Sequence, residues 1–153
     1  MKQTMTKDVA LLVLRLAGLG LALAHGWGKI GALASGEGSG FIEAVGRLGF
    51  PMPGLFAWAA GLAEFVGGLF VAFGLFTRVA ASFAGFTMLV AGFLRHKFHL
   101  HLLVWLGLFQ ASEETIESWR DPEKALVYVL IFVALILMGG GRLSLDRIVR
   151  KKR

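Results

Sequence analysis

Cysteine is absent from the 153 residues of this chain. Its absence excludes disulfides, thiol redox chemistry, metal sites with thiolate ligands and iron–sulfur clusters held by the chain itself. An electron carrier of those kinds would have to come from a partner or a bound cofactor.

Charged residues are also scarce, at 17% of the chain against about 25% in soluble domains. Hydrophobic residues make up 56% of the chain, and its mean hydropathy is +0.70. A soluble fold of this size could not bury so much apolar surface. The composition therefore predicts an all-α integral membrane protein with one domain over residues 1–153. The net charge of +6 is concentrated at the chain ends, which argues against nucleic-acid binding.

Four apolar stretches predict a bundle of four transmembrane helices. Their boundaries are about 9–34, 53–76, 79–94 and 125–141. The third and fourth would be roughly 24–26 Å long, short of the ~30 Å hydrocarbon core, so we expect flanking basic side chains to reach towards the headgroups. The first stretch lacks a small-residue cleavage site and is read as a retained helix.

The connections between these stretches carry further signals. The serine and glycine residues at 35–40 predict a flexible loop. The apolar segment 98–109 is too short to span a bilayer and predicts an interfacial helix in the outer loop between the third and fourth helices. The charged segment 113–124 predicts an exposed connection, with Pro122 opening the fourth helix.

Charge counts predict the orientation. The basic tail at 142–153 has six basic residues against Asp146, and Arg78 marks the turn between the second and third stretches. The two long loops on the other side are acidic on balance. The positive-inside rule therefore places both termini in the cytoplasm, in a bacterial inner membrane.

Glu64 is the only charged residue between Arg47 and Arg78. A carboxylate at membrane depth is costly unless it is paired, protonated or facing water. Small residues at 57, 61, 68 and 72 share its helical face, which lets another helix approach closely. Paired with Arg15, Glu64 would stay ionised and act as a structural clamp. Unpaired, it would carry a proton or bind a ligand.

Arg15, His25 and Lys29 form an ionisable stripe along one face of the first helix. Counting from the cytoplasmic ends puts Arg15 about 10 Å deep, Glu64 about 18 Å and His25 about 25 Å. Long side chains on adjacent helices could bridge these gaps, so we predict one intramembrane polar network. The alternative is that Arg15 and Lys29 reach to opposite interfaces and the small residues only allow close packing.

Three histidines follow the third stretch, at His96, His99 and His101. They permit a metal site, but no acidic or cysteine ligand accompanies them, and contacts with lipid headgroups account for such clusters more often. Haem held by His25 and His96 is conceivable because both lie towards the outer side. Nothing in the sequence aims both rings at one cavity, so we expect neither metal nor haem.

Six strings occur in order along the chain: LRL at 14–16, HGWGK at 25–29, LGFPMP at 48–53, GLAEFVGG at 61–68, GLFTR at 74–78 and GGGRLSLD at 139–146. Together they make the chain resemble the DoxX family of small bacterial membrane proteins. The resemblance implies a four-helix membrane bundle and covers nearly the whole chain except about 97–122. The family's recurrent polar positions correspond here to Arg15, His25, Lys29, Glu64, Arg78, His96 and Glu123.

The resemblance also implies a function close to oxidoreduction, because a relative, DoxD, is the membrane subunit of a thiosulfate:quinone oxidoreductase. It predicts an accessory or quinone-interacting subunit of a membrane oxidoreductase, with other membrane proteins as partners. The alternative is a non-catalytic structural or assembly subunit. A small transporter ranks below both, because four short helices leave little room for alternating access. Whether this chain catalyses a reaction itself stays open.

Two features depart from the family pattern. The outer loop is long and acidic and contains the apolar segment 98–109, which suggests a partner specific to this chain. Gly140 stands where a proline is common.

Overall fold

The computed structural model describes the backbone of residues 2–119 and 121–151 and the side chains of 5–119 and 121–149. Within these ranges every regular element is helical. Arg120, and Lys152 and Arg153 of the predicted basic tail, lie outside the described residues.

The first helix, α1, runs through Lys2–Leu21, a π-helical turn at Ala22–Gly26 and Trp27–Ala34. The elements that follow are α2 (Ser39–Arg47), α3 (Pro53–Phe73), α4 (Thr77–Val90, continued by a second π-helical turn at Ala91–Arg95), α5 (Phe98–Trp105), α6 (Glu113–Trp119), α7 (Glu123–Met138) and α8 (Leu145–Lys151).

Three helices of the described part are long and apolar enough to cross a membrane: Met5–Ala34, Pro53–Phe73 and Thr77–Arg95. They coincide with the first three predicted spans. The fourth predicted span corresponds to α7, which has 16 residues, fewer than the ~20 that usually cross a bilayer. The chain is thus a helical membrane protein with at least these three apolar helices.

Two helices form where the sequence predicted connections. The loop predicted at 35–40 stops at Ser39, where α2 begins. This helix is amphipathic, and its Val45 packs with Leu33 and Ala57 in a small core of its own. The charged segment after residue 112 forms α6, whose start is stabilised by the Ser112 hydroxyl, which accepts a bond from the Thr115 N–H at 3.3 Å. No residue of α6 is buried.

The main core lies among α1, α3, α4 and α7. Its buried members are Leu11, Leu21, Val71, Ala80, Ala81, Ala84, Met88, Phe132 and Leu135. Large apolar side chains on the outward faces of the same helices are exposed, for example Leu130 at 70% and Leu137 at 71%. An apolar surface of this extent suits contact with lipid rather than water.

The backbones of α1 and α3 touch at glycines. A Cβ atom added at Gly18 would lie 2.5 Å from the Gly68 carbonyl oxygen, and one at Gly68 would lie 2.6 Å from the Gly18 carbonyl oxygen. Gly26 ends the π-helical turn of α1, and a Cβ there would lie 2.5 Å from the Phe65 nitrogen. Only glycine permits so close an approach. The line of contact between α1 and α3, called here the α1–α3 seam, therefore depends on glycine at these positions.

We expect Gly26→Ala to destabilise the protein by about 1–3 kcal/mol, because its methyl group would push α1 away from Phe65. Gly31→Ala is the matched control: it lies on the same helix with nothing within 4 Å of the added Cβ. Alanine favours a helix over glycine, so the control should be neutral or stabilising. Thermal unfolding in detergent measures both, and equal melting temperatures for the two variants would contradict the tight seam.

Candidate functional sites in the helix bundle

Glu64 of α3 pairs with Lys29 of α1. The Lys29 Nζ atom lies 2.5 Å from Glu64 Oε1. The Glu64 side chain is 2% exposed and that of Lys29 is 29% exposed. The Lys29 ammonium also lies 5.0 Å from the centre of the Phe41 ring of α2, at cation–π distance. Three elements thus converge on one charge pair, with the carboxylate buried and the ammonium reaching the surface.

Glycine spacing puts these two residues side by side. At Gly61, three residues before Glu64, an added Cβ would lie 3.0 Å from Ile30 Cδ1 and 3.6 Å from Lys29 Cβ. The lysine stem therefore runs along the α3 surface one turn before the carboxylate. The second carboxylate oxygen, Glu64 Oε2, is buried without a hydrogen-bond partner among the described residues. Such an oxygen can accept a proton or a ligand hydrogen bond, but the tight seam limits what can reach it.

Arg15 forms a separate polar centre at the other end of α3. It is 1% exposed, and its Nη2 donates to the Leu143 carbonyl at 2.5 Å, in the segment between α7 and α8. Its Nε and Nη1 atoms are buried without hydrogen-bond partners in the described structure. Gly74, at φ +70, ends α3 directly against this guanidinium and leaves no space there for a side chain.

Asp146 at the start of α8 closes the same end of the bundle. Its carboxylate accepts bonds from the Phe76 N–H at 2.6 Å, the Thr77 N–H at 2.9 Å and the Thr77 hydroxyl at 2.6 Å. Its own N–H donates to the Gly74 carbonyl at 2.8 Å. Asp146 thus caps the first turn of α4 from a distant part of the sequence. Its carboxylate accepts hydrogen bonds from backbone N–H groups that have no partner within the helix.

Asp8 of α1 holds the segment before α8 in a similar way. The Arg142 N–H donates to Asp8 Oδ1 at 2.8 Å, and Arg142 Nε lies 3.9 Å from Oδ2. The sequence reasoning singled out neither Asp8 nor the pairing of Asp146 with Thr77. Thr77 and Asp146 both lie within the family-like strings, which say nothing about their contact, and Asp8 lies within none of them.

His25 lies on the π-helical turn of α1, facing α7. Its ring centre is 6.3 Å from that of Tyr128, with the two rings nearly perpendicular. The two residues border an open groove of about 320 Å³ between α1 and α7. The groove is further lined by Ala17, Val127 and Ile131 and, at one end, by Glu123 and Lys124. At this groove two side chains that can form hydrogen bonds with a ligand border an apolar surface.

The sequence model of the DoxX family matches residues 10–97. The chain belongs to the DoxX family. It is also 34% identical to the inner membrane protein YqjF of Escherichia coli strain K12 over 147 residues, which cover 95% of this chain and 96% of that protein. No solved structure gives a significant match. The resemblance inferred from the ordered strings is therefore confirmed.

The matched region of this DoxX protein contains all the polar candidates from Arg15 to His96, whereas Tyr128 and Asp146 lie beyond it. The structure brings Lys29 and Glu64 together but places Arg15 with Leu143 and His25 with Tyr128. The single network expected from sequence is thus divided into three centres. Arg78 lies with the Arg15 end, where its Nη2 donates to the Leu137 carbonyl at 3.1 Å.

The three clustered histidines each contact a different residue. The His96 N–H donates to the Ala91 carbonyl at 2.8 Å and ends the second π-helical turn. The His99 ring stacks on Phe93 with centres 6.0 Å apart, and the His101 ring meets the edge of Trp119 at 5.3 Å. Among the described residues no three histidine, cysteine, aspartate or glutamate side chains are grouped as metal ligands would be.

We expect Lys29→Met to destabilise the protein by up to about 3–5 kcal/mol, because it leaves Glu64 buried and unpaired. The double variant Lys29→Met/Glu64→Met should be more stable than Lys29→Met alone, since it removes the buried carboxyl group that has lost its partner. The exposed pair Glu43 and Arg47, 3.6 Å apart with side chains 70% exposed, is the matched control and should show almost no coupling. Melting temperatures in detergent of the wild type, the single variants and the double variant give a double-mutant cycle. Additive effects of the substitutions at 29 and 64 on stability would contradict the ion pair.

We expect Asp146→Ala to cost about 1–2 kcal/mol, because the first turn of α4 loses its cap. It should also expose the segment after Gly141 to trypsin, which cleaves after arginine. Asp121→Ala removes a local bond to the Glu123 N–H at 2.8 Å and serves as the control. Unchanged tryptic cleavage at Arg142 and Arg147 in Asp146→Ala would show that Asp146 does not hold this end together.

Proposed function

We propose that this DoxX protein is a quinone-interacting accessory subunit of an oxidoreductase in the bacterial inner membrane. The observation that carries the proposal is the lipid-facing groove between α1 and α7, with His25 and Tyr128 at its edge. The name of the Escherichia coli relative supports the membrane assignment. The family resemblance supports the link to oxidoreduction.

We assign α7 as a fourth membrane span. Its 16 residues extend about 24 Å, and it packs through Phe132 and Leu135 into the core while Leu130 and Leu137 are exposed. Glu123 and Lys124 at one end can reach the headgroup region and compensate for the short apolar length. The protein then has four spans, with α5 and its 80% exposed Trp105 at the outer interface.

The orientation follows from the basic end of the bundle. Arg78, Arg142 and Arg147 border one cleft at the end where α7 ends and α4 begins. The positive-inside rule places that end, and both termini, in the cytoplasm. The His25–Tyr128 groove then opens towards the lipid in the outer half of the membrane.

The groove has the chemistry that a quinone headgroup needs. Ala17, Val127 and Ile131 provide an apolar wall for the ring and tail. The Tyr128 hydroxyl, the His25 imidazole and the Lys124 ammonium can donate hydrogen bonds to quinone carbonyl oxygens. Its volume of about 320 Å³ falls within the range of small-molecule sites, about 300–1,000 Å³.

Reduction of a quinone to a quinol takes up two electrons and two protons. In this proposal the electrons come from a partner subunit, and the side chains at the groove position the carbonyl oxygens and pass protons to them. His25 is suited to proton transfer because one imidazole nitrogen can accept a proton while the other donates one. The buried Glu64 is not needed for this step, because its carboxylate is paired with Lys29.

We expect a photoreactive ubiquinone analogue to label α1 and α7 around His25 and Tyr128 in nanodiscs. His25→Leu and Tyr128→Phe should each weaken labelling by up to about tenfold, because each loses about one hydrogen bond to the quinone. His99→Leu is the control, as its ring lies against Phe93. Absence of labelling at the groove, or equal labelling of all three variants and the wild type, would overturn the quinone assignment.

The second candidate function is a non-catalytic structural or assembly subunit. It is favoured by the way the buried polar groups are used: Arg15, Lys29, Glu64 and Asp146 all bind other parts of the chain. A bundle braced in this way suits a scaffold for other membrane proteins. Purification from the native host in mild detergent distinguishes the two functions. A co-purifying partner protein without quinone supports the structural subunit, and a lone monomer argues against both functions.

A further inference from the structure

A second cleft, of about 310 Å³, opens at the end of the bundle opposite to α5. It is bordered by the last residue of α7, the glycine turn at 139–141, the start of α4 and the start of α8. Gly139 and Gly141 both have φ of +75, which lets the chain reverse there without side chains. A Cβ at Gly140 would lie 2.5 Å from the Thr77 hydroxyl oxygen, so the turn is pressed against α4.

The charge in this cleft is mainly positive. Its lining includes Arg78, Arg142 and Arg147 against one acidic residue, Asp146. The Asp146 carboxylate already accepts three hydrogen bonds from Phe76 and Thr77. The balance of the lining is thus two positive charges, and much of the negative one is already engaged.

The arginines keep donors for a ligand. Arg78 uses one nitrogen on the Leu137 carbonyl, and each guanidinium has five N–H donors. Arg142 Nε lies 3.9 Å from Asp8 Oδ2, and the Arg142 side chain is 57% exposed. Such planar groups match the geometry of phosphate oxygens.

Apolar surface continues from the cleft along the helices. Met138 lies in the lining itself. Phe76, Val79 and Leu137 are all more than half exposed next to it, on α4, its preceding turn and α7. A ligand that fits both surfaces has an anionic head and long apolar chains.

We propose that this cleft binds the phosphate of an anionic phospholipid, with its acyl chains along the outward faces of α4 and α7. This inference rests on the four-span topology and not on the quinone role, so the two can fail separately. The lipid would occupy the cytoplasmic leaflet, where anionic headgroups attract basic side chains. It would also brace the same end that Arg15 and Asp146 hold together.

The test is native mass spectrometry of the purified chain in neutral detergent with added phosphatidylglycerol or phosphatidylcholine. The variant Arg78→Gln/Arg142→Gln/Arg147→Gln should retain about a tenth or less of the phosphatidylglycerol bound by the wild type. The control Arg47→Gln/Arg95→Gln/Lys97→Gln removes the same charge outside the cleft and should bind as the wild type does. Phosphatidylcholine should bind weakly to all three.

Competition with inorganic phosphate distinguishes a phospholipid headgroup from a free phosphate ion as the ligand. We expect millimolar phosphate to leave phosphatidylglycerol bound, because the acyl chains add contacts that the free ion lacks. Displacement by phosphate at that concentration would overturn the lipid assignment in favour of a free anion. Equal losses in the cleft variant and the control would overturn the site itself.

If the loss of the Arg78–Leu137 bond prevents folding, Arg142→Gln/Arg147→Gln keeps the test decisive. Both side chains are exposed, and neither side chain forms a hydrogen bond of normal length among the described residues. Melting temperature shows that the variant is folded, and retention of phosphatidylglycerol equal to the wild type would then contradict the proposal.

Discussion

The contact between the α1 and α3 backbones constrains the rest of the bundle. Gly18 and Gly68 bring the two helices together at one level, and Gly26 meets Phe65 two turns further along α1. No side chain separates the helices there, so the positions of Lys29 and Glu64 are set by the backbone. In the ion pair that results, the Glu64 side chain is 2% exposed and that of Lys29 is 29% exposed. The same register directs His25 away from α3 and towards Tyr128.

The opposite end of the bundle is closed by a different principle. There the chain after α7 returns to the core and binds it through Arg15, Asp8 and Asp146, each of which pairs with backbone groups. Buried backbone donors and acceptors must be satisfied inside a membrane, and these side chains do so where three helices end. The arginines left at the surface of this end create the basic cleft, whereas the groove at His25 has an apolar wall with Glu123 and Lys124 at one end.

Hydropathy was sufficient to predict the three long helices, because an apolar run of about 20 residues is a strong signal for a helix that crosses a bilayer. It could not reveal α2, whose glycines look like a loop and whose packing needs Leu33 and Ala57. The sequence left two alternatives for Glu64, a pair with Arg15 or an unpaired carboxyl group with a proton or ligand role. In the structure Arg15 lies level with Gly74, ten residues from Glu64 and so roughly 15 Å along the axis. The Asp146–Thr77 contact joins residues 69 apart in sequence, a pairing that no local pattern encodes.

We infer that Lys29 and Glu64 form an ion pair within the α1–α3 seam. Infrared difference spectroscopy between the wild type and Glu64→Gln, in lipid at neutral pH, tests it most directly. The account predicts the loss of a carboxylate band in Glu64→Gln and a protonated carboxyl band for Glu64 in Lys29→Met. A protonated carboxyl band from Glu64 in the wild type, or a spectrum unchanged by Lys29→Met, would contradict it.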